Sequence, residues 1–239
     1  MTIKLFRTDP YLRETESMIT GLGEAGGVIV DRSVFYPAGG GQPGDTGMLT
    51  WNTGSACIVD TRICGHEDVE LVLAEGSATP PTGEAARQEL DWNRRFCHMR
   101  IHTALHLLSV VVPFPVSGGA ISAEKGRLDF NMPEAVADKD ELEGQLNRLV
   151  ERDLPVTEDW ITDEELAANP SLVKTMSVKP PIGAGRVRLV RIGELDDQID
   201  LQPCGGTHVA RTGEIGALAI GKVEKKGRLN RRINIRFAV

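Results

Sequence analysis

The 239-residue chain has no apolar run long enough to cross a bilayer. Its first residues, Met1-Thr-Ile-Lys-Leu-Phe-Arg7, lack the apolar core and small-residue cleavage site of a secretory signal. Its four cysteines, Cys57, Cys64, Cys97 and Cys204, do not reach the density of a disulfide scaffold. These absences point to a reducing cytoplasm and no membrane partner, a setting in which Cys204 is free to bind metal. There is no internal repeat and no low-complexity tract. Positive charge is short as well: the formal net charge of -7 argues against a generic nucleic-acid coat. Hydrophobic residues at 41% and charged residues at 26% are ordinary for a globular protein and argue against long disorder. The length suits one large or two small domains.

Against this plain background two short stretches stand out, His102-Thr-Ala-Leu-His106 and Cys204-Gly-Gly-Thr-His208. Each presents two metal-binding side chains four positions apart. Three imidazoles and one thiolate complete a tetrahedral shell for zinc. The first pair lies among helix formers, where residues four apart share a face. The second brackets Gly-Gly, so it belongs to a loop whose backbone can fold around an ion. A His pair on a helix is by itself a weak signal, but four of the chain's nine His and Cys residues fall in these two pairs. A zincin protease is excluded, because Thr103 stands where that motif places its Glu base.

The first part of the chain reads as strands at residues 3–6, 27–31, 47–51, 56–60 and 69–74, bounded by Gly and Pro, with a helical turn near 11–19. This is the pattern of a small β-barrel or sandwich. Ser77-Ala-Thr-Pro-Pro-Thr-Gly83 is the clearest break, which places domains at 1–83 and 84–239. The second domain reads as α+β with an antiparallel sheet. Helices are expected at 84–112, 138–152 and 164–168, the second capped by Asp138 with Glu141 completing a capping box. Strands are expected at 126–131, 154–161, 186–192, 215–223 and 231–238. Arg186-Val-Arg-Leu-Val-Arg191 alternates as a half-exposed strand does.

Two further stretches have a possible use. In Phe35-Tyr-Pro-Ala-Gly-Gly-Gly-Gln42, glycines allow backbone amides to approach a ligand, and Gln42 both donates and accepts hydrogen bonds. Taken alone it reads as a hairpin turn, and no Gly-Lys-Ser/Thr follows to make a Walker loop. Near the end, Lys222, Lys225, Lys226, Arg228, Arg231, Arg232 and Arg236 face only Glu224. That segment is either a solvated strand pair or a phosphate-binding face.

Together these pieces resemble the alanyl-tRNA editing family, free-standing relatives of the editing region of alanyl-tRNA synthetase often called AlaX. The resemblance rests on Phe35-Tyr36, Gly40-Gly41-Gln42, Asp45-Thr46-Gly47, the His102-Thr103 to His106 helix, Asp200-Leu-Gln-Pro-Cys204 to Val209, and Thr212 to Gly216. Order and spacing hold over nearly the whole length. It implies a small N-terminal β-barrel followed by an α+β editing domain, the second additional domain also found in threonyl-tRNA synthetase. No aminoacylation domain precedes these motifs, so charging of tRNA is not expected.

The implied activity is zinc-dependent hydrolysis of the aminoacyl ester on mischarged tRNA, chiefly Ser-tRNA for alanine and also Gly-tRNA for alanine. His102, His106, Cys204 and His208 would hold the zinc. Gln42, with Gly40 and Gly41, would place the water or the oxyanion. The family commonly has Thr ahead of the Phe-Tyr pair where Ser33-Val34 stands here, and Ser33 is the expected contact to the substrate hydroxyl. Such a contact discriminates because alanine would leave it unpaired. Lys222, Lys225, Lys226, Arg228, Arg231 and Arg232 would hold phosphates of the acceptor end. Two other readings remain open: a non-catalytic, zinc-stapled tRNA-binding module, and editing of another mischarged tRNA such as Ser-tRNA for threonine.

Overall fold

The computed structural model describes residues 1–23, 26–65, 67–134, 138–174 and 185–238. The chain forms two compact units, Met1–Phe96 and Cys97–Val239. In the first, β1 (Ile3–Lys4) leads into a short helix, α1 (Leu5–Thr8), and then β2 (Glu14–Leu22), β3 (Val28–Val30), β4 (Arg32–Ser33), β5 (Gly47–Trp51), β6 (Gly54–Cys64), β7 (Asp68–Leu73) and β8 (Ala85–Leu90). Strands β2-β3-β7-β6-β5-β8 close into an antiparallel barrel, and β1 pairs with β4 in parallel beside it. The barrel is filled from alternate positions, among them Ile19, Val28, Val30, Leu49, Ile58, Leu71 and Leu90.

Three expectations fail in this unit: the strand over 3–6 ends at Lys4, and Leu5 and Phe6 begin α1. The helical turn near 11–19 is instead the start of β2. The single helix over 84–112 is strand β8 followed by helix α2 (Trp92–Val111). Ala-Ala-Arg-Gln-Glu-Leu is composed of good helix formers, but it buries every second residue (Ala86, Gln88, Leu90) and supplies the strand that joins β2 to β5. Closure of the barrel outweighs a helical preference of tenths of a kcal/mol per residue, about 0.5. The Ser77–Gly83 break therefore precedes the last barrel strand.

The second unit is built on the rest of α2, whose residues 101–109 are buried all round, as in a core helix. After it come β9 (Val116–Ile121), β10 (Lys125–Asn131), α3 (Lys139–Glu151), β11 (Val156–Thr162), α4 (Asp163–Ala168), β12 (Arg186–Ile192), β13 (Asp200–Pro203), β14 (Leu218–Lys225) and β15 (Asn230–Phe237). They form two antiparallel sheets, β14-β15-β10-β9 and β11-β12-β13. Helix α2 lies close on β10, where a Cβ at Gly126 would meet Ile101 at 2.5 Å. Helix α3 is tied to β14 by Asn147, which bonds both backbone groups of Leu218.

The α+β class and the antiparallel sheets are as expected. Asp138 caps α3 through the amides of Asp140 and Glu141. Glu141 does not close a capping box; its carboxylate accepts instead from Gln145 and Arg148. A capping box does form on α4, between Thr162 and Glu165. Strands β9 and β13 were not anticipated, and Ile215 ends a 3-10 turn rather than starting β14. β12 is not half-exposed: it is the middle strand, and even Arg188 is buried. Among the described residues, no helix is long and apolar enough to cross a membrane.

Candidate metal centre

Helix α2 presents His102 and His106 one turn apart, and the loop after β13 returns Cys204 and His208 to them. The four candidate donor atoms all lie within 4.8 Å of one another. Cys204 Sγ is 3.4 Å from His102 Nε2 and 3.2 Å from His208 Nε2. The three histidines are buried, and Cys204 is half-buried. Two elements far apart in sequence are brought together here, at the spacing of a shared coordination shell.

The groups behind the donors fix which ring nitrogen faces inward. Thr103 Oγ1 donates to the Met99 carbonyl at 3.0 Å, so it accepts from His208 Nδ1 at 3.1 Å. His106 Nδ1 lies 3.0 Å from Asp200 Oδ2, an acceptor. In both rings the proton sits on Nδ1 and Nε2 is left for the cluster, the usual arrangement behind a metal-binding histidine. Gln202 Nε2 donates to Asp200 Oδ2 at 2.7 Å, and Lys174 pairs with Asp200 Oδ1. Arg188 donates to the carbonyls of Cys204 (2.8 Å) and Gly206 (2.9 Å), holding the loop in shape.

The electrostatics agree with a cation-binding pocket. Burial raises the Cys204 thiol, but the neighbouring His102 and His208 outweigh it and hold the group well below its ordinary 9.0. Burial lowers His208, and His102 lowers it further, to about 3, so it stays neutral. For His106 burial acts downward, but the bond to Asp200 and the nearness of Cys204 outweigh it and push the group up to about 9. Burial likewise raises Asp200, while His106 and Lys174 pull it below 3.8. A thiolate, a neutral His208 and a His106 that would give up its Nε2 proton on binding form a donor set that zinc accepts.

Sequence reasoning named the four residues that the fold brings together and did not single out Thr103, Arg188, Asp200 and Gln202 behind them. The signal for two of them was present. Asp200 and Gln202 stand two apart just before Cys204, so on a strand they share one face.

In the barrel unit, Gly39 and Gln42 exchange backbone hydrogen bonds of 3.0 Å, closing a two-residue hairpin. Gly40 and Gly41 have φ of 58° and 86°, as a type I′ turn requires. The glycines of this stretch thus make a tight turn, whose tip is exposed while Gln42 is buried. Asp45 holds its base: it accepts from the Tyr36 amide and pairs with Arg95, both ions buried. A Cβ at Gly47 would meet the Glu89 carbonyl at 2.1 Å, so that glycine admits β8.

Ser33 is fully buried, donates to Gln88 Oε1 at 2.7 Å and accepts from the Phe35 amide at 3.1 Å. Its only proton is therefore spent inside the barrel.

The basic C-terminal residues divide. Arg231 is buried and donates to the carbonyls of Gly227, Arg228, Asn230 and Pro133. Arg232 makes two bonds to Asp129, of 2.7 and 2.9 Å. Lys222, Lys225, Lys226 and Arg228 remain exposed, with Lys222 and Lys226 near Glu224. His66 lies outside the described residues.

Comparison with known proteins places this geometry. Residues 187–234 match the family model described as the threonyl and alanyl tRNA synthetase second additional domain, a span that carries Arg188, Asp200, Gln202, Cys204 and His208. Residues 7–94 match that of the class II (A) tRNA synthetases. The alanyl-tRNA editing protein AlaX-M of Methanosarcina acetivorans is 32% identical over 98% of both chains. This chain belongs to the alanyl-tRNA editing protein family. An AlaX-M protein of Saccharolobus solfataricus is also 32% identical, again over 98% of both chains. The alanine–tRNA ligase of Pyrobaculum arsenaticum is 37% identical over 94% of this chain but only 25% of its own length. The chain thus spans nearly all of its AlaX-M relatives and about a quarter of that ligase.

Proposed function

We propose that the protein is a hydrolase that removes a wrongly attached amino acid from tRNA in the alanine system, with zinc as its metal. Serine is the main amino acid removed and glycine a second. The observation that carries the reading is the convergence of His102, His106, Cys204 and His208 in a chain that runs the length of proteins named for alanyl-tRNA editing.

His102, His106, Cys204 and His208 would hold the metal. When bound, zinc supplies a positive centre that polarises an ester carbonyl or a water. The chain's own part is preorganisation. Thr103 and Asp200 keep two imidazoles turned inward, and Arg188 keeps the Cys204 loop from shifting. An aminoacyl ester needs less activation than an amide, so positioning contributes much of the catalysis.

The Gly40-Gly41-Gln42 hairpin is the proposed source of the groups that hold water or the developing oxyanion, with the tip amides of Gly40 and Gly41 as donors. Gln42→Ala should abolish deacylation and spare tRNA binding. Loss of both, or of neither, would remove Gln42 from that role. For tRNA phosphates the proposal rests on Lys222, Lys225, Lys226 and Arg228, because Arg231 and Arg232 are spent within the fold.

Four protein donors also suit a purely structural zinc, which keeps the tRNA-binding module as a second reading. Deacylation of Ser-, Gly- and Ala-charged alanine tRNA, with and without a chelator, separates the two. Hydrolysis of the first two substrates with alanine spared supports the editing reading; tRNA binding without hydrolysis supports the module. Hydrolysis of Ser-tRNA for threonine in place of that for alanine would move the activity to the other tRNA.

A further inference from the structure

Strand β11 is the outer strand of the three-stranded sheet, and its Trp160 is 44% exposed. A single exposed aromatic carries little meaning alone; its placement carries more. The register sets Trp160 opposite Arg188, so the two side chains leave the same face of the sheet. One row along, Glu158 is opposite Val190, and Val190 is opposite Gln202, which extends the same face to the Gln202–Asp200–His106 network. Trp160 therefore stands on the face that carries the metal centre.

Its row leads to the donors. Arg188 passes from the indole's neighbour position to the carbonyls of Cys204 and Gly206, and the Cys204 amide donates to the Arg188 carbonyl at 3.2 Å. Two strand spacings, roughly 10 Å, separate the backbones of Trp160 and Cys204. Cys204 is the least buried residue of the cluster. Gly205 beside it is exposed, and a Cβ there would meet nothing within 4 Å. The one carboxylate of the row beneath, Glu158, is paired with Arg188 and does not repel an anionic ligand unopposed.

We propose that Trp160 is a stacking platform for the nucleobase of the nucleotide that bears the aminoacyl ester. The inference rests on the ester-hydrolase reading above. An ester held at the cluster leaves its base about one nucleoside length away, a span comparable to the two strand spacings between Cys204 and Trp160. A single-stranded RNA end offers an unpaired base, and aromatic side chains bind such bases face to face with little regard to sequence. The contact is equal in ground and transition states, so it acts on KM and leaves kcat unchanged.

The test uses the full, metal-loaded chain and two serine-charged RNA hairpins, one ending in an ordinary nucleotide and one whose terminal ribose lacks its base. For the ordinary hairpin, Trp160→Ala should raise KM about tenfold at constant kcat, the loss expected for one stacked base. Trp160→Phe should restore most of it. For the abasic hairpin, wild type and Trp160→Ala should share the same raised KM. An unchanged KM for Trp160→Ala on the ordinary hairpin, or an equal loss on both hairpins, overturns the platform. If the wild type cleaves neither hairpin while binding both, the ester-hydrolase reading fails first and takes this inference with it.

Discussion

Asp200 accepts from His106 Nδ1 and Gln202 with one buried oxygen and from Lys174 with the other. It is not one of the four candidate donors, yet it decides which nitrogen of His106 faces the cluster. Asp200→Asn can still occupy the space but holds the imidazole proton poorly. It should weaken zinc binding by about 10- to 100-fold in a chelator competition, with the circular dichroism of the folded chain unchanged. An unaltered affinity would reduce Asp200 to a packing residue. Ser33 poses the opposite case. Its hydroxyl is consumed by Gln88 and Phe35, so Ser33→Ala leaves two buried polar groups short of a partner. The cost should be about 1–3 kcal/mol in chemical denaturation. A substrate contact at Ser33 would add a second mark, a larger loss on serine-charged than on glycine-charged tRNA; equal loss on both removes Ser33 from specificity. At this scale the sequence disclosed which His and Cys residues would be brought together, because they are few and their spacing is informative. It disclosed the supporting residues poorly, because Thr, Arg, Asp and Gln have many uses until a partner is in view.

Strands β10 and β15 meet through Arg232 and Asp129, opposite each other in the register, with Arg127 also on Asp129. Burial raises the Asp129 carboxyl, but the bonds from Arg232 and Arg127 outweigh it and hold the group below 3.8. A carboxyl lowered by folding contributes stability above its unfolded value and loses it as pH falls through the lower folded value. Asp129→Asn should therefore lower Tm at about pH 7, and the difference from wild type should shrink as pH falls below roughly 3.8. A Tm difference independent of pH would deny the pair its ionic character. The same pairing shows why a run of basic residues is hard to read: Arg231 is buried and Arg232 is paired with Asp129 in the fold. Element types were legible where strand alternation dominates, as in β5 and β12. They were not legible at β8, where helix formers sit in a period-2 pattern and barrel closure decides, nor at β13, which is too short to show a period.

Across the whole molecule, a barrel unit carries a glycine hairpin braced by a buried Arg95–Asp45 pair, and an α+β unit carries the His and Cys cluster. Helix α2 begins in the first unit and supplies two of the four clustered residues in the second. The division into barrel and α+β parts was legible from glycine and proline punctuation. The exact hand-over was not, because the punctuation marks a loop and the last barrel strand comes after it. The account depends on one ion uniting the donors and enabling ester cleavage. Its most direct test measures zinc per chain and deacylation of Ser-tRNA for alanine on the same sample, before chelation, after it, and after zinc is restored. The account predicts one zinc per chain and activity that disappears and returns with it; a folded, metal-free protein that deacylates at the full rate would contradict it.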